Sequence, residues 1–381
     1  MNTSRRPVYL DCNATTPIEP KVKEILIRYI EEEFGNEGSR THVYGASAKQ
    51  AVQKARGQVA NVVNAKREEV IFTSGATESN NLAILGLEKH GLKSGNKHII
   101  TSAIEHKAVL EPMEEMERRG FDVTYLQPDH SGRIKTQQVA EALRDDTLLI
   151  SIMHANNETG IIQPISEIAD LLNEHKAYLH TDAAQSFGKV FEALQHPRID
   201  FISASGHKLY APKGIGTLIV RRRGFSKAPL SPIIFGGGQE RGLRPGTLPV
   251  AIIAAFGLAC ELAVKNQDVR FRSIIAQRSA AMTALNELNI RLSGDQTQVM
   301  PHVVNFSIDG IDSEALILAL KDIVAISNGS ACTAHSYTPS HVLMAMGMTK
   351  NQAEECVRLS WSHLTPTVDW EKLTSRIKSL A

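Results

Sequence analysis

Phe201 to Gly216 reads FISASGHKLYAPKGIG. It enters as an apolar, β-branched run, the pattern of a strand bound for a core. The run breaks into small residues and sets His207-Lys208 just past the strand end, and Pro212, Gly214 and Gly216 then turn the backbone sharply. An isolated lysine is ordinarily a surface residue. Lys208 has a second reading, an amine that condenses with a carbonyl cofactor. The choice depends on what the rest of the chain places around it.

Working outward, strands and helices alternate. Strand patterns occur at Val70–Thr73, His98–Ser102, Val123–Leu126, Leu148–Met153, Tyr178–Thr181, Phe201–Ser205 and Thr217–Val220. Helical runs separate most of them: Glu78–His90, Ala108–Arg119, Thr136–Leu143 and Ser166–His175. Lys21–Glu33 and Ser47–Val63 read as earlier helices, with Asn36–Tyr44 a polar loop between them. This alternation predicts an α/β fold, a mainly parallel seven-stranded sheet with helices on both faces. Ligands then collect at the carboxyl ends of the strands. From Val250 a long helical stretch, a strand at Val303–Ile308 and a helix near Ser313–Lys321 predict a smaller α+β domain. The expected division is 16–259 for the large domain, and 1–15 with 260–381 for the small one.

Composition narrows the function classes. The 381 residues carry a formal net charge of +1 and are 42% hydrophobic, enough for a large core and two domains. A near-neutral chain is a poor nucleic-acid binder, and Arg221-Arg222-Arg223 reads as a strand end in solvent rather than a phosphate patch. Cys12, Cys260, Cys332 and Cys356 lie far apart with no CxxC or metal-ligand spacing. No metal is expected, and free thiols fit a reducing, cytoplasmic compartment. Met1–Arg6 shows no apolar signal core, and Val250–Val264 is too short to span a bilayer, so no membrane association is expected.

Polar groups sit where the predicted strands end. Ser74-Gly75-Ala76-Thr77 follows one strand and opens a helix, either a plain N-cap by Ser74 or Thr77 or a cup for an anion. Neither GxGxxG nor a Walker lysine occurs, which disfavours dinucleotide and P-loop sites. His106 opens another helix, as a cap or as a ring lying over an aromatic cofactor. Asp182 ends an apolar strand, a costly place for a carboxylate without a partner. The pyridinium nitrogen of pyridoxal phosphate is such a partner. Gln185 and Asn157 lie within reach of its ring hydroxyl on this reading, while Ser205 and His207 flank Lys208 as phosphate ligands. The loop Gly236–Thr247, GGGQERGLRPGT, is either a surface turn or a further approach to phosphate. Cys332, in NGSACTAHSYTPS (328–340), sits among small polar residues and reads as the reactive thiol. The other three cysteines read as small buried hydrophobes.

SGATES, the Glu105-His106 pair, NNE at 156–158, DAAQ at 182–185, SGHK at 205–208, GGGQERGLRPGT and the thiol motif, in this order, resemble the cysteine desulfurases of the aminotransferase class V family, pyridoxal-phosphate enzymes of fold type I. The resemblance covers nearly the whole chain. It implies Lys208 as the Schiff-base lysine, Asp182 on the pyridine nitrogen, His106 stacked on the ring, and Asn157 and Gln185 near its hydroxyl. It implies a phosphate held by Ala76, Thr77, Ser205 and His207, with Thr247 reaching the neighbouring subunit of a homodimer. Arg358 becomes the grip on the carboxylate of the substrate, L-cysteine, and Cys332 the nucleophile that carries sulfur to an acceptor protein. The Cys332–Pro339 spacing resembles the branch with the longer, mobile catalytic loop.

Where iron–sulfur housekeeping members tend to read RFSLGR, this chain reads Arg358-Leu359-Ser360-Trp361-Ser362-His363, and it stops at Ala381 without their longer tail. With GSRTH at 38–42 and HTDAAQ at 180–185, it is similar to the desulfurases of DNA phosphorothioation systems. That likeness implies partner proteins, not this chain, on the DNA. The alternatives are a general sulfur donor for iron–sulfur clusters or tRNA, a selenocysteine lyase or aminotransferase, and a cofactor-bound adaptor without turnover.

Overall fold

The computed structural model describes residues 6–329 and 339–380. Its strands are β1 (Val8–Tyr9), β2 (Val70–Thr73), β3 (His98–Ser102), β4 (Asp122–Leu126), β5 (Thr147–Ser151), β6 (Tyr178–Asp182), β7 (Phe201–Ser205), β8 (Gly216–Val220), β9 (Ile290–Leu292), β10 (Val303–Ile308), β11 (Val324–Ala325) and β12 (Cys356–Ser360). Its helices are α1 (Pro20–Glu31), α2 (Val43–Val62), α3 (Ala76–Leu85), α4 (Glu88–Ser94), α5 (Lys107–Arg118), α6 (Thr136–Ala142), α7 (Ile165–Leu171), α8 (Val250–Lys265), α9 (Gln267–Leu285), α10 (Ser313–Leu320), α11 (His341–Ala345), α12 (Lys350–Glu354) and α13 (Trp370–Lys378).

β2 to β8 form one seven-stranded sheet in the order β2-β8-β7-β6-β5-β3-β4. Four of its pairings are parallel, and β8 runs antiparallel to both its neighbours. The expected mainly parallel α/β sheet is therefore present. Its central strands β5 and β7 are buried at every residue, because helices cover both faces. That burial explains why they read as continuous apolar runs rather than alternating ones. β2, β3, β5, β6 and β7 all end on the same edge, and the polar residues lie just beyond it.

Two helices depart from the sequence expectation. The run Glu78–His90 is two helices, because α3 stops at Gly86. There Ser231 donates its N–H to the Gly86 carbonyl at 2.8 Å, and a Cβ on Gly86 would lie 3.0 Å from the Ser231 carbonyl oxygen. A neighbouring loop thus occupies the place of the next turn. α2 begins at Val43, four residues before Ser47, because the His42 ring accepts the Gly45 N–H and caps it.

A second core gathers Leu10, Ile274, Val304, Phe306, Leu316, Leu359 and Trp361. It is layered on β9-β10-β12, an antiparallel sheet, and on the parallel pair of β1 with β11. β1 thus carries the N-terminal chain from this second core straight into residues 11–16, at the edge where the large sheet presents its polar ends. α8, the longest apolar run, is buried against the large core. No single helix among the described residues is long and apolar enough to cross a membrane.

Candidate active site

A cavity of about 590 Å³ opens at the carboxyl edge of the large sheet. Ala76, Thr77, His106, Asn157, Asp182, Gln185, Ser205, His207, Lys208 and Arg358 all line it. These residues come from six separate stretches of sequence. A larger depression of about 820 Å³ between α2 and α8 is open surface and carries none of them.

At one end, β2 runs through Gly75 into α3. Gly75 is the N-cap and no side chain caps the helix, so neither Ser74 nor Thr77 takes the simple capping role. The first amides of α3 therefore face the cavity with the positive end of the helix dipole. β8 passes close beneath: a Cβ on Gly216 would lie 2.6 Å from the Gly75 Cα, so only glycine allows this approach. Ser205 Oγ lies 3.7 Å from where a Gly75 Cβ would be, which puts its hydroxyl at the same end. Burial, and then the nearby Lys208, Lys213 and Lys189 charges, push His207 down to about 4, so its imidazole is neutral at pH 7. His207 Nδ1 pairs with Thr15 Oγ1 at 3.1 Å.

At the other end, Asp182 terminates β6 with 6% exposure. Asn80 Nδ2 donates to its Oδ2 at 2.7 Å, and the Ala184 N–H to its Oδ1 at 2.8 Å. Both bonds are to the charged form, so the carboxylate is fixed in place and the cost of its burial is offset. Beside it, the His106 ring accepts the Ala108 N–H at 3.1 Å, capping α5 while lining the cavity. The two sequence readings of His106 are thus compatible: the cap orients the ring.

The N-terminal turn closes the site. Lys208 Nζ donates to the carbonyls of Asn13 and, at 2.7 Å, Ala14. Thr16 donates both its N–H and its hydroxyl to the His207 carbonyl at 2.9 Å. Gln185 Nε2 donates to the Asn13 carbonyl at 3.0 Å, and Asn13 Nδ2 to the Asn157 carbonyl at 3.0 Å. On the outer wall, Arg358 donates Nη1 to the Asn157 carbonyl at 2.7 Å and Nη2 to Asp11 at 2.5 Å.

The structure brings these predicted residues together. Thr247, expected at a neighbouring subunit, is exposed and does not line this cavity. From the glycine-rich loop, Arg244 reaches the first turn of α3, pairing with Glu78 at 2.9 Å, while Arg241 donates to the Val70 carbonyl at 3.1 Å. Cys332 lies outside the described residues. Sequence reasoning missed Asp11, Asn13 and Asn80. Each sits in a polar turn or helix start next to a motif, but nothing local to it names its distant partner. It also missed Glu105 as a buried acid. Burial, with the Asp182 charge adding to it, pushes Glu105 up to about 8 against hydrogen bonds from Ser102 and Met153. Its Oε1 accepts Ser102 Oγ–H at 2.5 Å and the Met153 N–H at 2.9 Å, while Oε2 is buried without a partner.

A raised carboxyl pKa means that the folded protein holds a proton the unfolded chain releases near 4.5. Stability therefore falls as pH rises from about 4.5 to about 8. Glu105→Gln is neutral at every pH and is expected to flatten that slope. Its thermal midpoint relative to the parent should climb steadily between pH 5 and pH 8.5, by an amount corresponding to about 2–4 kcal/mol. Parallel melting profiles across that range would mean that Glu105 ionises normally.

The lining suits pyridoxal phosphate. Uncapped amides beside hydroxyls suit a phosphate, a fixed carboxylate suits a ring nitrogen, and an amine at the end of β7 suits an aldehyde. Asn13 Oδ1, Gln185 Oε1 and Arg358 Nε, on residues that line the same cavity, are buried without partners. Buried polar groups are rarely left so, and a polar ligand there supplies what they lack.

The profile of the aminotransferase class-V family matches residues 8–373. The cysteine desulfurase IscS of Vibrio campbellii is 43% identical over 375 residues, covering 98% of this chain and 92% of the relative. The crystal structure of DndA from Streptomyces lividans is 48% identical, with a TM-score of 0.82 over 93% of this chain and 99% of that one. A structure described as SspA in complex with cysteine is 39% identical, with a TM-score of 0.82 over 94% and 100% of the two chains.

Proposed function

This chain belongs to the aminotransferase class-V family, as a pyridoxal-phosphate-dependent cysteine desulfurase, and from that premise we propose that it passes sulfur from L-cysteine through Cys332 to an acceptor protein that serves DNA phosphorothioation. The bound cofactor supplies an electron sink for the carbon skeleton of the substrate. Asp182 holds a negative charge against the ring nitrogen, fixed by Asn80 and Ala184. The α3 amides with Thr77, Ser205 and neutral His207 hold the phosphate. His106, oriented by its bond to Ala108, would stack on the ring, and Asn157 and Gln185 would serve its hydroxyl. Lys208 would anchor the aldehyde, and its amine would move the Cα proton of the substrate. Arg358 takes the substrate carboxylate.

The sulfur step balances without a further oxidant. The Cys332 thiolate attacks the substrate sulfur, an S–S bond forms and the Cβ–S bond breaks. The electron pair goes to Cβ, which is protonated to give alanine. The sulfur is oxidised as the carbon is reduced, and the product is a persulfide on Cys332.

The single observation that carries this reading is the convergence of Lys208, Asp182 and the uncapped α3 on one cavity with Arg358. The phosphorothioation assignment is supported by the 48% identity to DndA and by the chain's departure from the housekeeping motif. Trp361 and His363, which mark that departure, are structural. Trp361 is buried and donates Nε1–H to the Ile274 carbonyl, and His363 bonds Glu19 at 2.8 Å. They record lineage rather than a docking surface. Of the Arg221–Arg223 run, expected as a strand end in solvent, Arg221 is instead buried, donating to the Val63 and Leu194 carbonyls, and Arg223 pairs with Asp200.

A homodimer is part of the proposal. Ile30, Phe34 and Val43 are 60%, 68% and 74% exposed, a cluster in which Phe34 stacks on Tyr44 at 5.4 Å. Thr247, exposed and outside the lining of its own cavity, would meet a second copy. The deciding experiment is one tube of purified protein given L-cysteine, followed by visible absorbance, alanine and protein-bound persulfide. A cofactor band that shifts, stoichiometric alanine and a persulfide mapped to Cys332 are expected. Cofactor without alanine would move the function to another class V enzyme. A persulfide that passes to an iron–sulfur scaffold but to no DNA-modifying partner would replace the phosphorothioation role with general sulfur supply.

A further inference from the structure

The turn after β5 carries three consecutive polar residues, Asn156, Asn157 and Glu158, and only Asn157 belongs to the cofactor cavity. Asn156 builds the turn: its Oδ1 accepts the N–H groups of Glu158 at 2.8 Å and Thr159 at 3.0 Å, and its Nδ2 donates to the Ile104 carbonyl at 3.0 Å. Glu158 points elsewhere. It is 4% exposed, and its Oε2 accepts the Ser340 hydroxyl at 2.5 Å. Ser340 Oγ in turn accepts the Leu343 N–H at 3.1 Å. Gly329 backs onto the same side chain at φ +85°, and a Cβ there would lie 3.4 Å from both Glu158 Cβ and Oε2. The Gly329 N–H donates to Ser327 Oγ at 3.0 Å, and Ser327 accepts the Arg358 N–H at 2.6 Å. Asn305 Nδ2 donates to the Glu158 carbonyl at 3.3 Å.

Gly329 and Ser340 flank residues 330–338, which include Cys332. One buried carboxylate therefore meets both flanks of the thiol-bearing segment, and its neighbour Asn157 faces the cavity. We propose that Glu158 is a positioning residue for sulfur transfer, clasping both flanks of the Cys332 segment to the turn that presents Asn157. This inference rests on the reading of Cys332 as the sulfur acceptor. The physical argument is one of orientation. A hydroxyl–carboxylate bond is charge-assisted and directional, so it fixes where the segment leaves and re-enters the fold. Misplacing a nucleophile by about 1 Å costs on the order of 100-fold in rate. Glu158 does not itself line the cofactor cavity and meets its wall only at Gly329, so its loss should separate sulfur transfer from substrate binding.

The test compares holoenzyme with Glu158→Ala and Glu158→Gln, following the cofactor absorbance change on adding L-cysteine and the single-turnover appearance of persulfide on Cys332. Glu158→Ala should keep the absorbance change and slow the persulfide roughly 10- to 100-fold. Glu158→Gln, which keeps an acceptor for Ser340, should recover most of that rate. If Glu158→Ala does not fold, Ser340→Ala removes the donor from the other side and carries the same expectation. A parental persulfide rate in these variants overturns the clasp and leaves the Cys332 reading intact. Parallel loss of the cofactor signal makes Glu158 structural only, which also overturns it. A parent enzyme whose persulfide forms elsewhere than Cys332 overturns both.

Discussion

Replacing Lys208 with Ala is expected to lower alanine formation from L-cysteine on the order of 10⁴-fold, the upper end of what removing a proton-transferring group costs. The amine stands at the end of β7, held by the Asn13 and Ala14 carbonyls. That places it to anchor the aldehyde and to reach the Cα proton from one position. Asp182, Asn80, Ser205 and the α3 amides are untouched by the change, so the protein should still take up pyridoxal phosphate. Its absorbance should match that of a non-covalently held aldehyde, and borohydride should no longer fix the cofactor to the chain. Lys213 also lines the cavity. A Lys208→Ala enzyme with turnover within roughly tenfold of the parent would hand the proton-transfer role to it.

The second large effect concerns the thiol. Cys332→Ala should leave the cofactor band and its response to L-cysteine in place and reduce protein-bound persulfide to background. The three described cysteines give the reason. Cys12, Cys260 and Cys356 are all buried. Burial raises each of their thiol pKa values, that of Cys356 to about 11. The thiolate is the nucleophile, so at pH 7 they are poor sulfur acceptors. Persulfide persisting in Cys332→Ala, mapped by mass spectrometry to Cys12 beside Asn13, would assign the sulfur step to a different residue.

Much of the site was legible because its chemistry sits at strand ends. Lys208, Asp182 and His106 each follow an apolar run directly, and a polar residue there has few structural excuses. The seven strands were legible for a similar reason: a strand buried on both faces is a short, continuous apolar run bounded by turn residues. Errors fell where a remote contact overrides a local signal. The break after α3 depends on Ser231, and the start of α2 on a histidine cap. Within the Gly236–Thr247 loop, Glu240 forms a buried ion pair with Arg56 at 2.6 Å and accepts the Phe72 N–H at 2.7 Å, a tie to β2 that its glycines do not announce.

Fold class and the placement of Lys208, Asp182 and the Ser74–Thr77 turn at strand ends follow from the amino-acid sequence by itself, because each depends on residue type and on neighbours within a few positions. The pairings that make these groups a site do not. Lys208 meets Asn13 across 195 residues and Asp182 meets Asn80 across 102. Those contacts exist because the sheet runs β2-β8-β7-β6-β5-β3-β4 and because β1 delivers residues 11–16 from the second core to its edge. Side-chain hydrogen bonds between distant segments leave no periodicity in a chain, so only the tertiary structure decides which donor faces which carboxylate.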